Sequence, residues 1–142
     1  MAKPIYPCLW FETQAKAAAE FYCSVFPNSK ILDASPIVIN FELNGTNFMA
    51  LNDKRPSQAF NESVSFVISC DDQKEIDYYW DNLTANGGKE SMCSWCRDKF
   101  GISWQVVPAI LGELMTDPVR AQRVIAAFLK MKKFDIQKII NA

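Results

Sequence analysis

WCRDKFGISWQVVP, from Trp95 to Pro108, contains two β-type arms joined by a turn. Asp98 and Gly101 are turn formers, and the arms on either side of them are rich in aromatic and β-branched residues. Successive strand residues face opposite ways, so Trp104 and Gln105 must lie on opposite faces. The short hairpin that Asp98 and Gly101 imply sends Gln105 inward, toward a concave face, and Trp104 outward into packing. Upstream of this hairpin, Ser63 to Cys70 reads as a strand, and Asp71 or Asp72 can N-cap a helix through Ile76, Tyr79, Trp80 and Leu83. Asn86-Gly87-Gly88 closes that helix, and a β-type segment runs from about Glu90 to Cys96 before Ile102 to Val107.

The same order occurs earlier in the chain. Ile5 to Phe11 is a β-type run, and Ala15, Ala18, Ala19, Phe21, Tyr22, Val25 and Phe26 cluster on one side of a helix that Pro27-Asn28-Ser29 ends. Lys30 to Ala34 and Val38 to Leu43 follow as strands, and Asn44-Gly45 is a strong hairpin signal leading into Phe48 to Asn52. One constant offset pairs Leu9 with Phe66, Phe11 with Ile68 and Phe21-Tyr22 with Tyr78-Tyr79, which reads as an internal repeat. The expected fold class is α+β: two βαβββ modules forming a curved mixed sheet with a cup, plus C-terminal helices. A chain of 142 residues is expected to be a single domain, 1–142, with module one at about 1–53, module two at about 62–108 and a helical tail at about 109–142. Within it only Asp53 to Asn61 reads as a linker. Helix signals follow Pro108 and Pro118.

Composition removes whole classes of chemistry. With no histidine, a triad using His as base, an HExxH zinc site and every imidazole acid are excluded. No apolar run is long enough to span a membrane, and the opening MAKPIYPCLWFETQ lacks the order of a signal peptide, so a cytoplasmic protein is expected, with its five cysteines reduced. Net charge is -1, but residues 118–142 carry Arg120, Arg123, Lys130, Lys132, Lys133 and Lys138 against Asp135 alone. Val124, Phe128 and Met131 follow helical spacing with the basic residues elsewhere on the wheel, so the tail reads as an amphipathic helix with a solvated basic side. Aromatic interleaving of the kind single-strand binding requires is missing, which argues against nucleic acid as a partner.

The segments PCLWFETQAKAAAEFYCSVFPNSKI, FELNGTNFMALN, SFVISCDDQKEIDYYWDNL and above all WCRDKFGISWQVVP resemble the PhnB-like branch of the glyoxalase, bleomycin-resistance and dioxygenase family, the vicinal oxygen chelate superfamily. AQRVIAAFLKMKKFDI also fits that branch, extending the resemblance over essentially the whole chain. The resemblance implies paired βαβββ modules, a homodimer, and either binding of a small molecule or its activation by a divalent metal. Relatives in this branch carry a demethylubiquinone methyltransferase label. A literal methyltransferase is not expected, because the one Gly pair, Gly87-Gly88, follows a helix instead of linking a strand to one.

Metal-binding relatives place His and Glu ligands on the first and last strand of each module. Their DxxGxxxE pattern maps onto Asp98 to Gln105, so Gln105 stands where a ligand Glu would be. The other matching positions are Tyr6 or Cys8, Ser63 or Ser65, and Ala50 or Asn52, none of them a histidine or carboxylate. Neutral oxygens do not repay the dehydration of a divalent ion, so no metal and no other cofactor is expected. Cys93-Ser94-Trp95-Cys96 supplies a single CxxC, half a structural zinc site, and reads as packing cysteines.

Phe21, Tyr22, Tyr79, Trp80 and Trp104 are expected in the core, whereas Trp10, Phe48, Trp95 and Phe100 are candidates to line the cup. With Tyr6, Cys8, Asn40, Asn52, Ser65 and Gln105 they form the candidate ligand-binding set; no catalytic residue is assigned. The expected function is a metal-independent small-molecule-binding protein. The enzyme alternative is a lyase, isomerase or dioxygenase with an atypical metal site using Gln105 and Tyr6, which stoichiometric metal would reveal. An interaction protein using the dimer surface and basic tail would instead show affinity that falls steeply with salt.

Overall fold

Two βαβββ modules and a set of C-terminal helices make up this α+β chain, seen in a computed structural model that describes residues 3–55 and 59–142. It divides into two compact units, Met1–Gln58 and Ala59–Ala142. The middle of the expected linker, 56–58, lies outside the described residues.

In the first unit the elements are β1 (Cys8–Phe11), α1 (Ala15–Val25), β2 (Lys30–Ala34), β3 (Val38–Leu43) and β4 (Thr46–Asn52). They form a sheet of order β1-β4-β3-β2 in which only the β1–β4 pair is parallel. β1 is shorter than the Ile5–Phe11 run because Pro4 and Pro7 cannot donate to a ladder, and Ile5 is fully exposed. Asn44 and Gly45, at φ 46° and 89°, form the two-residue turn that sets Leu43 opposite Thr46. Leu9, Phe11, Ile39, Phe41, Phe48 and Ala50 are buried on one face, together with Ala15, Ala18, Ala19, Tyr22 and Val25 of α1. Phe41 stacks between Tyr22 and Phe48, with ring centroids 6.4 and 5.5 Å away.

The second unit repeats the order with β5 (Ser65–Cys70), α2 (Gln73–Thr84), β6 (Lys89–Glu90), β7 (Trp95–Arg97) and β8 (Ser103–Pro108). Its sheet runs β5-β8-β7-β6, again with one parallel pair, β5–β8. Asp72, not Asp71, caps α2 by accepting from the Glu75 amide at 2.8 Å, a bond worth about 1 kcal/mol. The expected strand over Glu90 to Cys96 is instead two strands separated by a turn in which Cys93 and Ser94 both have positive φ, 58° and 74°. Their amides donate to the Met131 and Lys132 carbonyls at 2.7 and 2.9 Å, so the chain leaves the ladder there to meet the tail.

The Asp98 turn fixes the register of β7 against β8. Asp98 is 2% exposed, and its carboxylate accepts from the amides of Phe100 and Ile102 at 2.8 and 3.1 Å and from Trp104 Nε1 at 2.9 Å. Gly101, at φ 94°, donates back to the Asp98 carbonyl at 3.0 Å. Trp104 therefore lies on the α2 side, paired across the ladder with Phe66 and Cys96, and Gln105 on the other.

The tail forms α3 (Leu111–Leu114), α4 (Pro118–Phe128) and α5 (Ile136–Ile140), the last starting at an Asp135 cap that the sequence reading did not separate. Leu114, Val124, Phe134 and Ile139 form its core, with Phe128 and Met131 packed on it; α4 stops at Phe128, so Met131 joins from beyond the helix and not through the helical spacing expected of it. Gln73 of α2 clamps the tail by donating to the Phe134 carbonyl and accepting from the Ile136 amide, both at 2.9 Å, and Lys133 pairs with Asp77 at 2.8 Å. Several tail cations are thus engaged within the chain, Arg120 and Arg123 also donating to the Ile140 and Ala142 carbonyls. Among the described residues no helix is long and apolar enough to cross a membrane.

Because Trp104 is a core side chain and Gln105 is not, Trp104→Ala is expected to cost about 3–5 kcal/mol and Gln105→Ala about 0.5 kcal/mol or less. Urea denaturation of the two variants checks this, and a larger loss from Gln105→Ala would contradict the face assignment.

Candidate open-face binding site

Each sheet has one face covered by its helix and an opposite, more open face, which in the second unit the tail covers at Val107, and ladder register decides which side chains reach the open face. In the first unit Cys8 pairs with Met49, Trp10 with Leu51, and Asn40 with Met49, which puts all of them opposite the packed face of Leu9, Ala50 and Ile39. Asn40 donates to Asp33 Oδ1 and Trp10 Nε1 to the Asp53 carbonyl, both at 2.9 Å. Tyr6 precedes the strand and is 49% exposed, which leaves it off the ladder.

Two candidates face the wrong way for a cup. Phe48 pairs with Phe41 and is buried against α1, so it belongs to the core. Asn52 pairs with Phe11, and its Oδ1 accepts from the Ala15 amide at 2.9 Å while its amide donates to the Pro36 carbonyl. It thus serves the first turn of α1 and the loop before β3. Phe48 is a candidate on its aromatic character and Asn52 on its match to a last-strand position of metal-binding relatives, and neither criterion fixes a face; the β4 positions that reach the open face are Asn47, Met49 and Leu51.

In the second unit the register brings three candidates together. Gln105 donates to Ser65 Oγ at 2.9 Å and lies directly across the ladder from Trp95. Ser65, Trp95 and Gln105 therefore form one polar and aromatic patch on the open face. Phe100 is in the Asp98–Gly101 turn, not on a strand, with Lys99 Nζ 5.6 Å from its ring centre. Beside the patch is a cavity of about 540 Å³ bounded in part by Glu62, Lys89, Met92, Cys93, Trp95 and Arg97. The sequence reading missed Lys89 and Arg97 because it considered only the central strands. Alternation from Trp95 to Arg97 was the signal available.

Electrostatics restrict what this site can do. Arg97 Nη2 meets Glu62 Oε1 at 2.6 Å. The Glu62 carboxyl is held below its usual range by its own backbone amide and then by Arg97. Burial pushes the Cys8 thiol up, and it pushes Cys70 and Cys96 up to about 12, with nearby carboxylates adding to the effect. Cys93 sits in the turn and Cys96 in the buried ladder, so the CxxC does not make a pair of exposed thiolates. Among the described residues no three His, Cys, Asp or Glu side chains come together to hold a metal. The donors facing out from β1, β4, β5 and β8 are neutral, which does not fit the divalent ion of the enzymatic relatives.

Paired βαβββ modules with a helix on one sheet face and the other face open define a glyoxalase-type protein. The fold matches a glyoxalase-related enzyme from Fulvimarina pelagi (TM-score 0.57, 12% identity, 76% of this chain and 88% of that one). It also matches a glyoxalase/bleomycin resistance protein from Albidiferax ferrireducens T118 (TM-score 0.51, 12% identity, 71% and 93%). A PhnB protein from Bacillus cereus is similar at 28% identity and TM-score 0.68, over 75% of this chain and 100% of that one. The family model described as 3-demethylubiquinone-9 3-methyltransferase matches residues 3–107, and the chain belongs to that family, the PhnB-like branch of the glyoxalase superfamily. The tail beyond residue 107 lies outside the segment that the family model matches. No curated protein matches significantly.

Because burial raises Cys8 and brings no cation to it, its thiolate is a minor species near neutral pH. Alkylation of Cys8 by iodoacetamide, followed by peptide mass spectrometry, should keep accelerating as pH rises through about 9. A rate that levels off below about pH 7 would show an activated thiol and contradict this placement.

Proposed function

We propose that the chain is a metal-independent small-molecule-binding protein of the PhnB-like glyoxalase fold, acting as a cytoplasmic homodimer and transferring no methyl group. The observation that carries the reading is the Ser65, Gln105 and Trp95 patch beside the cavity of the second unit. An apolar and aromatic pocket with a few placed polar groups is the usual form of a small-molecule site. Neutral donors on the central strands support metal independence, and the absence of imidazole together with a raised Cys8 leaves no evident base for turnover near neutral pH. Gly87-Gly88 follows α2 instead of joining a parallel strand to a helix, which supports reading the methyltransferase designation as a family name only. Exposed Ile37, Val64 and Val67 are apolar side chains that a second copy would cover, and twofold dimers are the commonest assemblies.

Native mass spectrometry of protein purified without chelators tests both parts of the proposal. The expected species is a dimer free of divalent ions. A stoichiometric retained metal would overturn metal independence, and monomer alone at micromolar concentration would overturn the assembly.

A further inference from the structure

On the second sheet, Lys89 of β6 is the ladder partner of Arg97 of β7, so two cations leave the same face at directly opposed positions. Like charges placed this way weaken a ladder, and nothing in the strands themselves offsets them. Glu90, the neighbour of Lys89, also borders the cavity, but it belongs to the packed side and its Oε1 accepts from Trp80 Nε1 at 3.0 Å. Glu62 engages one Arg97 nitrogen, and Lys89 has no hydrogen-bond or ion-pair partner among the described residues. Trp95, two residues before Arg97, is on the same face, and all three residues line the cavity of about 540 Å³.

We propose that this cavity takes a small aromatic anion, its carboxylate or phosphate held by Lys89 and Arg97 and its ring lying against Trp95. The proposal rests on the small-molecule reading above and narrows it to a ligand class. Arginine has five N–H donors, so Arg97 can keep its contact with Glu62 while others take an oxyanion; the Lys89 ammonium adds a second charge. The indole offers a rigid flat surface, and Met92, 44% exposed at the rim, is a flexible thioether able to close on a ring. One wall is pre-set, because the Cys93 and Ser94 amides are held by the Met131 and Lys132 carbonyls of the tail.

The test is calorimetric titration of the full chain with 1-naphthoate, 1-naphthyl phosphate, neutral 1-naphthamide and cationic 1-naphthylmethylamine. The expected result is that one or both anions bind at least about tenfold tighter than the amide, the better anion indicating carboxylate or phosphate. Lys89→Gln and Arg97→Gln should each remove most of that advantage without changing amide affinity, and Trp95→Leu should weaken every aromatic probe. Lys89 is exposed, so its variant keeps the test decisive if Arg97→Gln fails to fold. Tighter binding of the amine would assign the site to Glu62 and overturn the proposal. Equal, Trp95-dependent binding of all four would overturn the anion class while upholding a small-molecule pocket, and no binding by any would overturn both.

Discussion

A carboxylate almost sealed from water, Asp98 at 2% exposure, organises the second module. Burying such a group costs several kcal/mol unless its lone pairs are taken up. Here three N–H groups take them up, two from the turn backbone and one from the Trp104 indole, and each bond to a charged acceptor returns about 1.5–3 kcal/mol. The turn and the core are therefore closed by one side chain. Its consequence extends along the strands: once Trp104 is tied to the packed side, alternation sends Gln105 to the open face, and the ladder sets Trp95 opposite it and Arg97 beside Ser103.

Much of this was legible in the sequence because the signals were local. Asn44-Gly45 specifies a two-residue hairpin, an Asp before the α2 stretch specifies a cap, and the small and aromatic residues of α1 specify its packed face. Gln105 and Ser65 are reached through their match to strand positions of metal-binding relatives and Trp95 through its aromatic character, and the ladder register brings the three onto one face. Phe48 and Asn52, chosen by the same two criteria, lie on the packed face. β4 is apolar at positions of both parities, so hydrophobicity could not choose between them; the pairing of Phe48 with Phe41 and of Asn52 with Phe11 does. The Cys93-Ser94 turn was hidden for a different reason. Its positive φ angles fall on residues without a glycine signature, and tail carbonyls distant in sequence hold them there.

The tail adds to a fold otherwise shared with the family. The family match ends at residue 107, yet Gln73 of α2 and the amides of the turn before β7 are both bonded to the stretch from Met131 to Ile136. A segment outside the matched modules thus sets the shape of one wall of the candidate pocket. Two of its residues, Lys133 and Phe134, reach α2 through an ion pair and a backbone carbonyl, a combination that is polar at the rim and apolar beneath.

The Asp98–Trp104 bond couples the turn to the core and so fixes which face Gln105 occupies. A double-mutant cycle of Asp98→Ala, Trp104→Phe and the pair, read by equilibrium urea denaturation, measures that coupling directly, because phenylalanine keeps a ring but lacks the indole N–H. The expected coupling energy is about 1.5–3 kcal/mol. Losses that add to within about 0.5 kcal/mol would mean the two residues act independently and would contradict it.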